Sequence, residues 1–191
     1  GVLGAVPVSR FLGEPGDGDT DVEATGHQLS LQHEFSADWA LYVGLGYRTS
    51  SFEGFSSDPE LVAGRQPFFT DATNLSRQRR QRLYDTKDLT GRAELSGSVS
   101  GGPLTHHLLF GADYYDYEFD QVQTRFRPTL ANPYSVNVFN PVYGQTRTPG
   151  AFVNSLEKQN ATGVYFQDQI DLTERWKALV AARNFGQNAL I

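Results

Sequence analysis

The stretch WALYVGLGYR, residues 39–48, decides the fold because its side chains alternate between an apolar row and a small or polar row. The apolar row contains Trp39, Leu41, Val43, Leu45 and Tyr47, with an aromatic residue at each end. Successive residues of a strand point to opposite sides, so the stretch is a β-strand with one apolar side. A strand that crosses an outer membrane needs ~9–11 residues, an outward apolar row and aromatic side chains at both interfaces. The stretch therefore predicts a transmembrane β-strand.

Five further segments show the same alternation, and together the six segments form three hairpins. Short turns at 36–38, 100–103 and 171–175 join the strands, and long polar loops at about 52–79 and 128–158 separate the hairpins. Outer-membrane barrels alternate short periplasmic turns with longer extracellular loops. We therefore predict an all-β chain, an antiparallel transmembrane β-barrel fragment of about six strands whose two long loops face outside.

One residue conflicts with this pattern. Asp168 has the same parity as Val164, Phe166 and Ile170, which face lipid in the predicted barrel. A carboxylate on the lipid face is unfavourable.

Composition excludes several other classes of protein. The chain of 191 residues has a formal net charge of -6 and no cysteine, which argues against nucleic-acid binding, disulfides and thiolate metal sites. No apolar run approaches the ~20 residues of a transmembrane helix, whereas a polar lumen face gives a barrel the mean hydropathy of a soluble protein. No Ser-His-Asp spacing, phosphate loop or pair of metal-binding carboxylates stands out, so we predict no enzymatic activity.

Several motifs resemble the barrel of TonB-dependent siderophore receptors. They are EFSADWALYVGLGYR (34–48), LSRQRRQRLYDTKDLTGRAELSG (75–97), LTHHLLFGADYY (104–115), NVFNPVYG (137–144) and GVYFQDQIDLTERWKALVAAR (163–183). The resemblance covers about residues 10–183 and is greatest to the ferrichrome, ferrioxamine and pyoverdine branch. It implies part of a 22-stranded barrel in the outer membrane of a Gram-negative bacterium, which imports ferric siderophores with energy relayed by TonB.

The resemblance also suggests how the chain is organised. We expect a loop at 1–20, a partial outer-membrane barrel domain at 21–183 and a truncated or aberrant tail at 184–191, with the N-terminal plug domain absent. The implied partners are a ferric siderophore, outer-membrane lipid, lipopolysaccharide, and TonB through the missing plug. Iron would arrive already bound by the siderophore, so no cofactor or metal site is expected.

Basic and aromatic side chains form the candidate ligand site. An arginine run, 77–82, precedes a strand that is expected to begin near Tyr84, and a row of aromatic residues follows Tyr114. Arginines at a pore mouth attract anionic solutes, and aromatic rings hold compact ligands by burial and stacking. By strand parity the predicted ligand-binding residues are Arg80, Arg82, Tyr84, Tyr115, Tyr117, Phe119 and Arg125. The alternatives are a solvated loop or contact with lipopolysaccharide phosphates for the arginines, and ordinary strand propensity for the aromatic residues.

The predicted function is a segment of an outer-membrane receptor for TonB-dependent uptake of ferric siderophores. The alternatives are a non-functional truncated barrel fragment, a soluble ligand-binding β-barrel and an outer-membrane enzyme. A small soluble barrel fills its interior with side chains, whereas the polar face here carries Arg48, Arg92, Glu94 and Arg183. These charged side chains favour a wide, water-filled lumen.

Overall fold

The computed structural model describes residues 6–65 and 73–190, which are predominantly β-strand. The strands in these ranges are β1 (Asp21–Glu34), β2 (Trp39–Pro59), β3 (Asn74–Gly101), β4 (Leu104–Phe126), β5 (Ser135–Asn137), β6 (Gly150–Asp171) and β7 (Lys177–Leu190). Within the same ranges, short 3₁₀ helices lie at Pro15–Asp17 and Ala63–Arg65. Within the described ranges, no helix has the length and apolarity needed to span a membrane.

The strands form an open antiparallel sheet in the order β1-β2-β3-β4-β6-β7, and β5 pairs separately with β3. The predicted all-β class and the three hairpins, β1–β2, β3–β4 and β6–β7, are confirmed. Only two residues connect β3 to β4, and Gly102 there has a φ of 65°, a conformation that favours glycine. In the third hairpin, β7 pairs with β6 from Asp171↔Lys177 to Lys158↔Leu190, so the register includes residues 184–190.

The strands are longer than the sequence predicts. β2, β3, β4 and β6 contain 21, 28, 23 and 22 residues, about twice what a membrane crossing requires. Residues 52–59, 74–79 and 150–158 were expected in loops, and the arginine run was expected before its strand, but all of them lie in strands. The expectation was wrong because apolar and polar residues do not alternate regularly in these stretches, although each of them lies within a strand.

Contacts between Cα atoms divide the chain into two compact units. The loop-bearing unit consists of Gly1–Glu23, Ser51–Asp85 and Asp120–Ser155, and the turn-bearing unit consists of Ala24–Ser50, Thr86–Phe119 and Leu156–Ile191. The longer strands have residues in both units.

In the turn-bearing unit, the contacts separate into an apolar face and a polar face, as the alternation predicts. On the apolar face the rings of Phe110 and Phe166 lie 5.0 Å apart. Most ion pairs among the described residues of this unit lie on the other face, including one from Arg183 Nη2 to Asp113 Oδ2 at 2.8 Å. Glu118 is an exception, because it has the parity of the apolar row of β4 and pairs with two lysines. Apart from such polar exceptions, the face assignment made from the sequence agrees with the contacts.

Asp168, the exception to the pattern, has a partner on its own face. Its Oδ2 lies 2.8 Å from Nδ1 of His106, which has the parity of the apolar row of β4. The Asp168 side chain is 15% exposed. Two polar residues that each conflict with the apolar face thus satisfy one another across neighbouring strands.

The loop-bearing unit has a small core that contains a buried ion pair. Tyr134, Val136 and Val138 are buried, and next to them Arg77 Nη2 lies 3.2 Å from Glu14 Oε2, with both side chains at most 1% exposed. The Arg77 guanidinium also lies 4.4 Å from the centre of the Tyr134 ring. This arrangement fixes the N-terminal segment and the segment around β5 to the start of β3.

Candidate functional site

The arginines of the run lie in β3, and strand alternation divides them between two faces. Arg77 belongs to the buried core, and Arg79 binds Asp17 through Nε at 2.7 Å and the carbonyl of Arg147 through Nη1 at 2.9 Å. Both side chains therefore connect parts of the loop-bearing unit. Arg80 and Arg82 were the two predicted for the ligand site, and they make a different set of contacts.

Asp58, which the sequence analysis missed, lies beside Arg80 and Arg82. Arg82 donates to Asp58 Oδ2 at 3.1 Å and to Ser56 Oγ at 3.0 Å. Arg80 Nε lies 3.9 Å from the same Asp58 oxygen and has no hydrogen-bond partner within the described residues. One carboxylate oxygen therefore serves two guanidinium groups, and Arg82 holds it more closely. Extending the alternation of β2 past residue 48 would have placed Ser56 and Asp58 on this face.

Arg125 and Tyr84, two further predicted residues, each lie against an aromatic ring of the loop-bearing unit. The Arg125 guanidinium lies 3.5 Å from the centre of the Phe152 ring, and Tyr84 stacks on Phe52 at 5.5 Å. Burial and the positive charge of Arg127 and Arg80 lower the pKa of Arg125. The unit thus brings Arg80 and Arg125 close enough for their charges to interact.

Arg127, whose charge is neutralised by Glu60, lies near Arg125. Arg127 donates to both carboxylate oxygens of Glu60, at 2.9 and 2.8 Å, and the Glu60 side chain is 1% exposed. The hydrogen bond from Arg127 holds the pKa of Glu60 below its ordinary value. Sequence reasoning missed this pair because the two residues are 67 positions apart.

The predicted aromatic residues form a row along β4 in the turn-bearing unit. The ring centres of Tyr115 and Tyr117 lie 6.1 Å apart, and those of Tyr117 and Phe119 lie 6.5 Å apart, with near-parallel planes. The predicted ligand residues therefore belong to two units, with Arg80, Arg82, Tyr84 and Arg125 in one and these three rings in the other.

A cleft of about 1360 Å³, with both apolar and charged lining residues, lies within the turn-bearing unit. Its charged lining includes Arg48 paired with Asp88 at 3.5 Å and Arg183 paired with Asp113. Among the described residues, no group of three or more histidine, aspartate or glutamate side chains could hold a metal ion. The cleft therefore offers paired charges and hydrogen-bonding groups to whatever occupies it.

The structure brings together one Ser-His-Asp set that the sequence spacing did not indicate. His107 Nδ1 lies 3.1 Å from Ser98 Oγ, and its Nε2 lies 3.1 Å from Asp171 Oδ2. Asp171 also pairs with Lys177 Nζ at 3.0 Å. A catalytic aspartate stabilises the imidazolium that forms during the reaction, whereas the lysine already neutralises this carboxylate. The Ser98–His107–Asp171 contacts therefore have a structural role, because they connect β3, β4 and β6 near the short turns.

The fold and the face chemistry agree with a comparison of the sequence with known families. The family described as TonB dependent receptor-like, beta-barrel matches residues 3–188. The chain belongs to the TonB-dependent receptor family. Receptors of this family lie in the outer membrane of Gram-negative bacteria and are transporters rather than enzymes.

Two curated receptors are similar to this TonB-dependent receptor segment. The metal-pseudopaline receptor CntO of Pseudomonas aeruginosa is 33% identical over 182 residues, which cover 95% of this chain and 25% of that receptor. The ferrioxamine B receptor of Salmonella typhimurium is 33% identical over 93 residues, which cover 47% of this chain and 12% of that receptor. The chain thus spans about a quarter of the length of the first relative.

Solved receptor structures share the fold of the chain. The siderophore receptor PiuA of Acinetobacter baumannii aligns with a TM-score of 0.66 at 16% identity, covering 97% of this chain and 31% of that one. The ferric preacinetobactin receptor BauA of the same organism aligns with a TM-score of 0.58 at 17% identity, covering 90% and 28%. At these identities the likeness concerns the fold alone.

Proposed function

We propose that this chain forms part of the barrel wall of an outer-membrane receptor that takes up a ferric siderophore in a TonB-dependent manner. The observation that carries the proposal is the family match over residues 3–188, on a sheet with one apolar and one charged face. In this proposal the apolar face contacts outer-membrane lipid and lipopolysaccharide. TonB acts through a plug domain in the lumen.

The proposed receptor offers ligands two kinds of side chain, basic residues in the loop-bearing unit and an aromatic row in the turn-bearing unit. Arg80 and Arg125 attract an anionic chelate, because clustered charges of one sign raise the local concentration of the opposite charge. Arg82 lies beside them and holds the carboxylate of Asp58. Tyr84 and the row of Tyr115, Tyr117 and Phe119 supply aromatic surface, which holds a compact ligand by contact area. Stacking at 6.1 and 6.5 Å keeps the row ordered before a ligand arrives.

A metal-pseudopaline complex is the second candidate ligand. The relative of that name matches 95% of the chain, whereas the ferrioxamine B receptor matches 47%. This difference in coverage favours a metal-pseudopaline complex over ferrioxamine B as the ligand.

Uptake by Gram-negative cells that express the receptor carrying this segment tests the proposal. Radiolabelled ferric siderophores and a radiolabelled metal-pseudopaline complex are supplied to cells with and without TonB. We expect TonB-dependent accumulation of at least one of them, and the ligand that accumulates identifies the candidate. If none enters although the receptor is present at the cell surface, the proposal is wrong.

Two substitutions on neighbouring strand positions test the aromatic row. Tyr117→Ala should weaken ligand binding several-fold, with an unchanged dependence on salt, because the lost contact is uncharged. Tyr114→Ala removes the same ring from the opposite face of β4 and is the matched control. Equal affinities of the two variants, measured by ligand binding to outer membranes, would exclude the row from the site.

A further inference from the structure

The basic side chains near Arg125 differ in how well their charges are neutralised. Arg127 is bound by both oxygens of Glu60, and Arg82 is bound by Asp58 at 3.1 Å. Arg125 forms no ion pair with any described residue. Arg80 reaches only the Asp58 oxygen that Arg82 already holds, at 3.9 Å. Among the described residues, two of the four guanidinium groups therefore have no carboxylate of their own.

The side-chain contacts of the β3–β4 hairpin indicate that these two groups lie opposite one another, and the charge of Arg80 does act on Arg125. Three side-chain contacts follow one register outward from the turn, Ser100 with Thr105 at 3.1 Å, Ser98 with His107 at 3.1 Å and Lys87 with Glu118 at 3.0 Å. The same register continued along both strands brings Arg80 opposite Arg125. Like charges directly opposite each other on neighbouring strands are destabilising. A bound anion between them would offset this repulsion.

The surroundings of Arg125 favour a flat anion. Its guanidinium lies 3.5 Å from the centre of the Phe152 ring, which holds the side chain in one orientation, and Phe152 is 47% exposed. Arg80 Nε is a buried donor without a hydrogen-bond acceptor among the described residues. A guanidinium matches a carboxylate through two parallel N–H···O hydrogen bonds, which a compact ammonium does not reproduce.

We infer that Arg80 and Arg125 together form a subsite for a carboxylate of a net-negative metal chelate, an inference that rests on the proposed receptor function. Arg82 and Arg127 are positioning residues, because Asp58 and Glu60 neutralise them and fix β2 and the end of β4 around the subsite. The specificity for charge thus comes from the two arginines that share or lack a carboxylate partner among the described residues.

Binding to the receptor carrying this segment, purified in detergent, tests the inference with two probes. Ferric citrate carries carboxylates and negative charge, and ferrichrome is a neutral ferric chelate. Arg80→Gln with Arg125→Gln should weaken ferric citrate binding about tenfold to a hundredfold and flatten its salt dependence, since hydrogen bonds to charged groups are among the stronger ones. Ferrichrome binding should change less than about twofold, since it makes no such bond.

Two further variants make the result specific. Arg80→Lys with Arg125→Lys keeps both positive charges and should therefore retain the salt dependence of ferric citrate binding. The affinity for ferric citrate should still fall several-fold, because lysine cannot form the two parallel hydrogen bonds of a guanidinium. Arg175→Gln removes one positive charge in the β6–β7 turn and should leave both affinities unchanged.

Three results would overturn the inference. They are a parent receptor that binds ferrichrome but not ferric citrate, a glutamine double variant with parental citrate affinity, and equal losses for both chelates. In each of them the proposed receptor function stands. If the parent receptor binds neither probe and takes up no metal chelate in cells, the proposed function itself fails.

Discussion

Replacing Glu14 by glutamine should release the N-terminal segment and the segment around β5 from β3. The substitution keeps the size of the side chain but leaves the buried Arg77 guanidinium without its carboxylate. Breaking a buried pair by removing one partner costs about 3–5 kcal/mol. We expect the lower end, about 3 kcal/mol, because the carbonyls of Leu12 and Gly13 still accept hydrogen bonds from Arg77.

Amide hydrogen exchange measures this loss locally. The Arg77 amide donates to the Tyr134 carbonyl at 2.7 Å, so exchange at this amide and in residues 134–138 reports opening of the segment. A loss of about 3 kcal/mol corresponds to roughly a hundredfold decrease in protection, at 1.36 kcal/mol per decade. Glu23→Gln, at an exposed position of β1, is the matched control and should leave protection unchanged. Equal exchange in the two variants would refute the argument that the buried pair holds these segments.

Three other predictions concern the faces, the pH dependence and the isolated chain. Leu89→Arg should lower the outer-membrane level of the receptor more than Thr90→Arg, because arginine on the lipid face costs about 2–4 kcal/mol at mid-membrane; equal levels on immunoblots would contradict the face assignment. The bond from Arg127 lowers the pKa of Glu60, so the stability it contributes is present above the ordinary value of 4.5 and is lost as the pH falls through the lower folded-state value. Glu60→Gln should therefore flatten the loss of protection at residues 134–138 on acidification below pH 4.5, and a loss as steep as in the parent would exclude this linkage. The 191-residue chain alone should aggregate in water, because an open sheet leaves unpaired edges beside an apolar face; a soluble monomer on size-exclusion chromatography would argue against the membrane face.

The hairpins could be predicted because their information is local. The alternation from Trp39 to Tyr47 specifies both a strand and its apolar side, and a short turn specifies the next strand. The alternation did not predict residues 52–59 of β2 and 74–79 of β3 as strand. Around Ser57 and Asp58 both faces are polar, and strand formation there depends on the neighbouring strand rather than on an apolar pattern.

The sequence predicts which face of a strand each candidate site residue lies on, but not which of the charged side chains are neutralised. Parity correctly put Arg80 and Arg82 on one side of β3, away from Arg77. It could not reveal that Arg77 is buried, since Glu14 lies 63 positions earlier in the chain. The sharing of Asp58 between two arginines was equally hidden, because it depends on contacts across β2 and β3. Local patterns specify orientation, whereas neutralisation of charge is a property of the tertiary structure.

The His106–Asp168 pair on the apolar face has a consequence for how these receptors diverge. Loss of the histidine alone would leave a carboxylate that is 15% exposed without its partner on an apolar surface, and loss of the aspartate alone would leave an unmatched imidazole. We therefore expect selection against either single change and tolerance of a replacement of both residues with apolar ones. Among homologous barrels these two positions, 62 residues apart in the chain, should covary. Each lineage should retain both polar residues or neither.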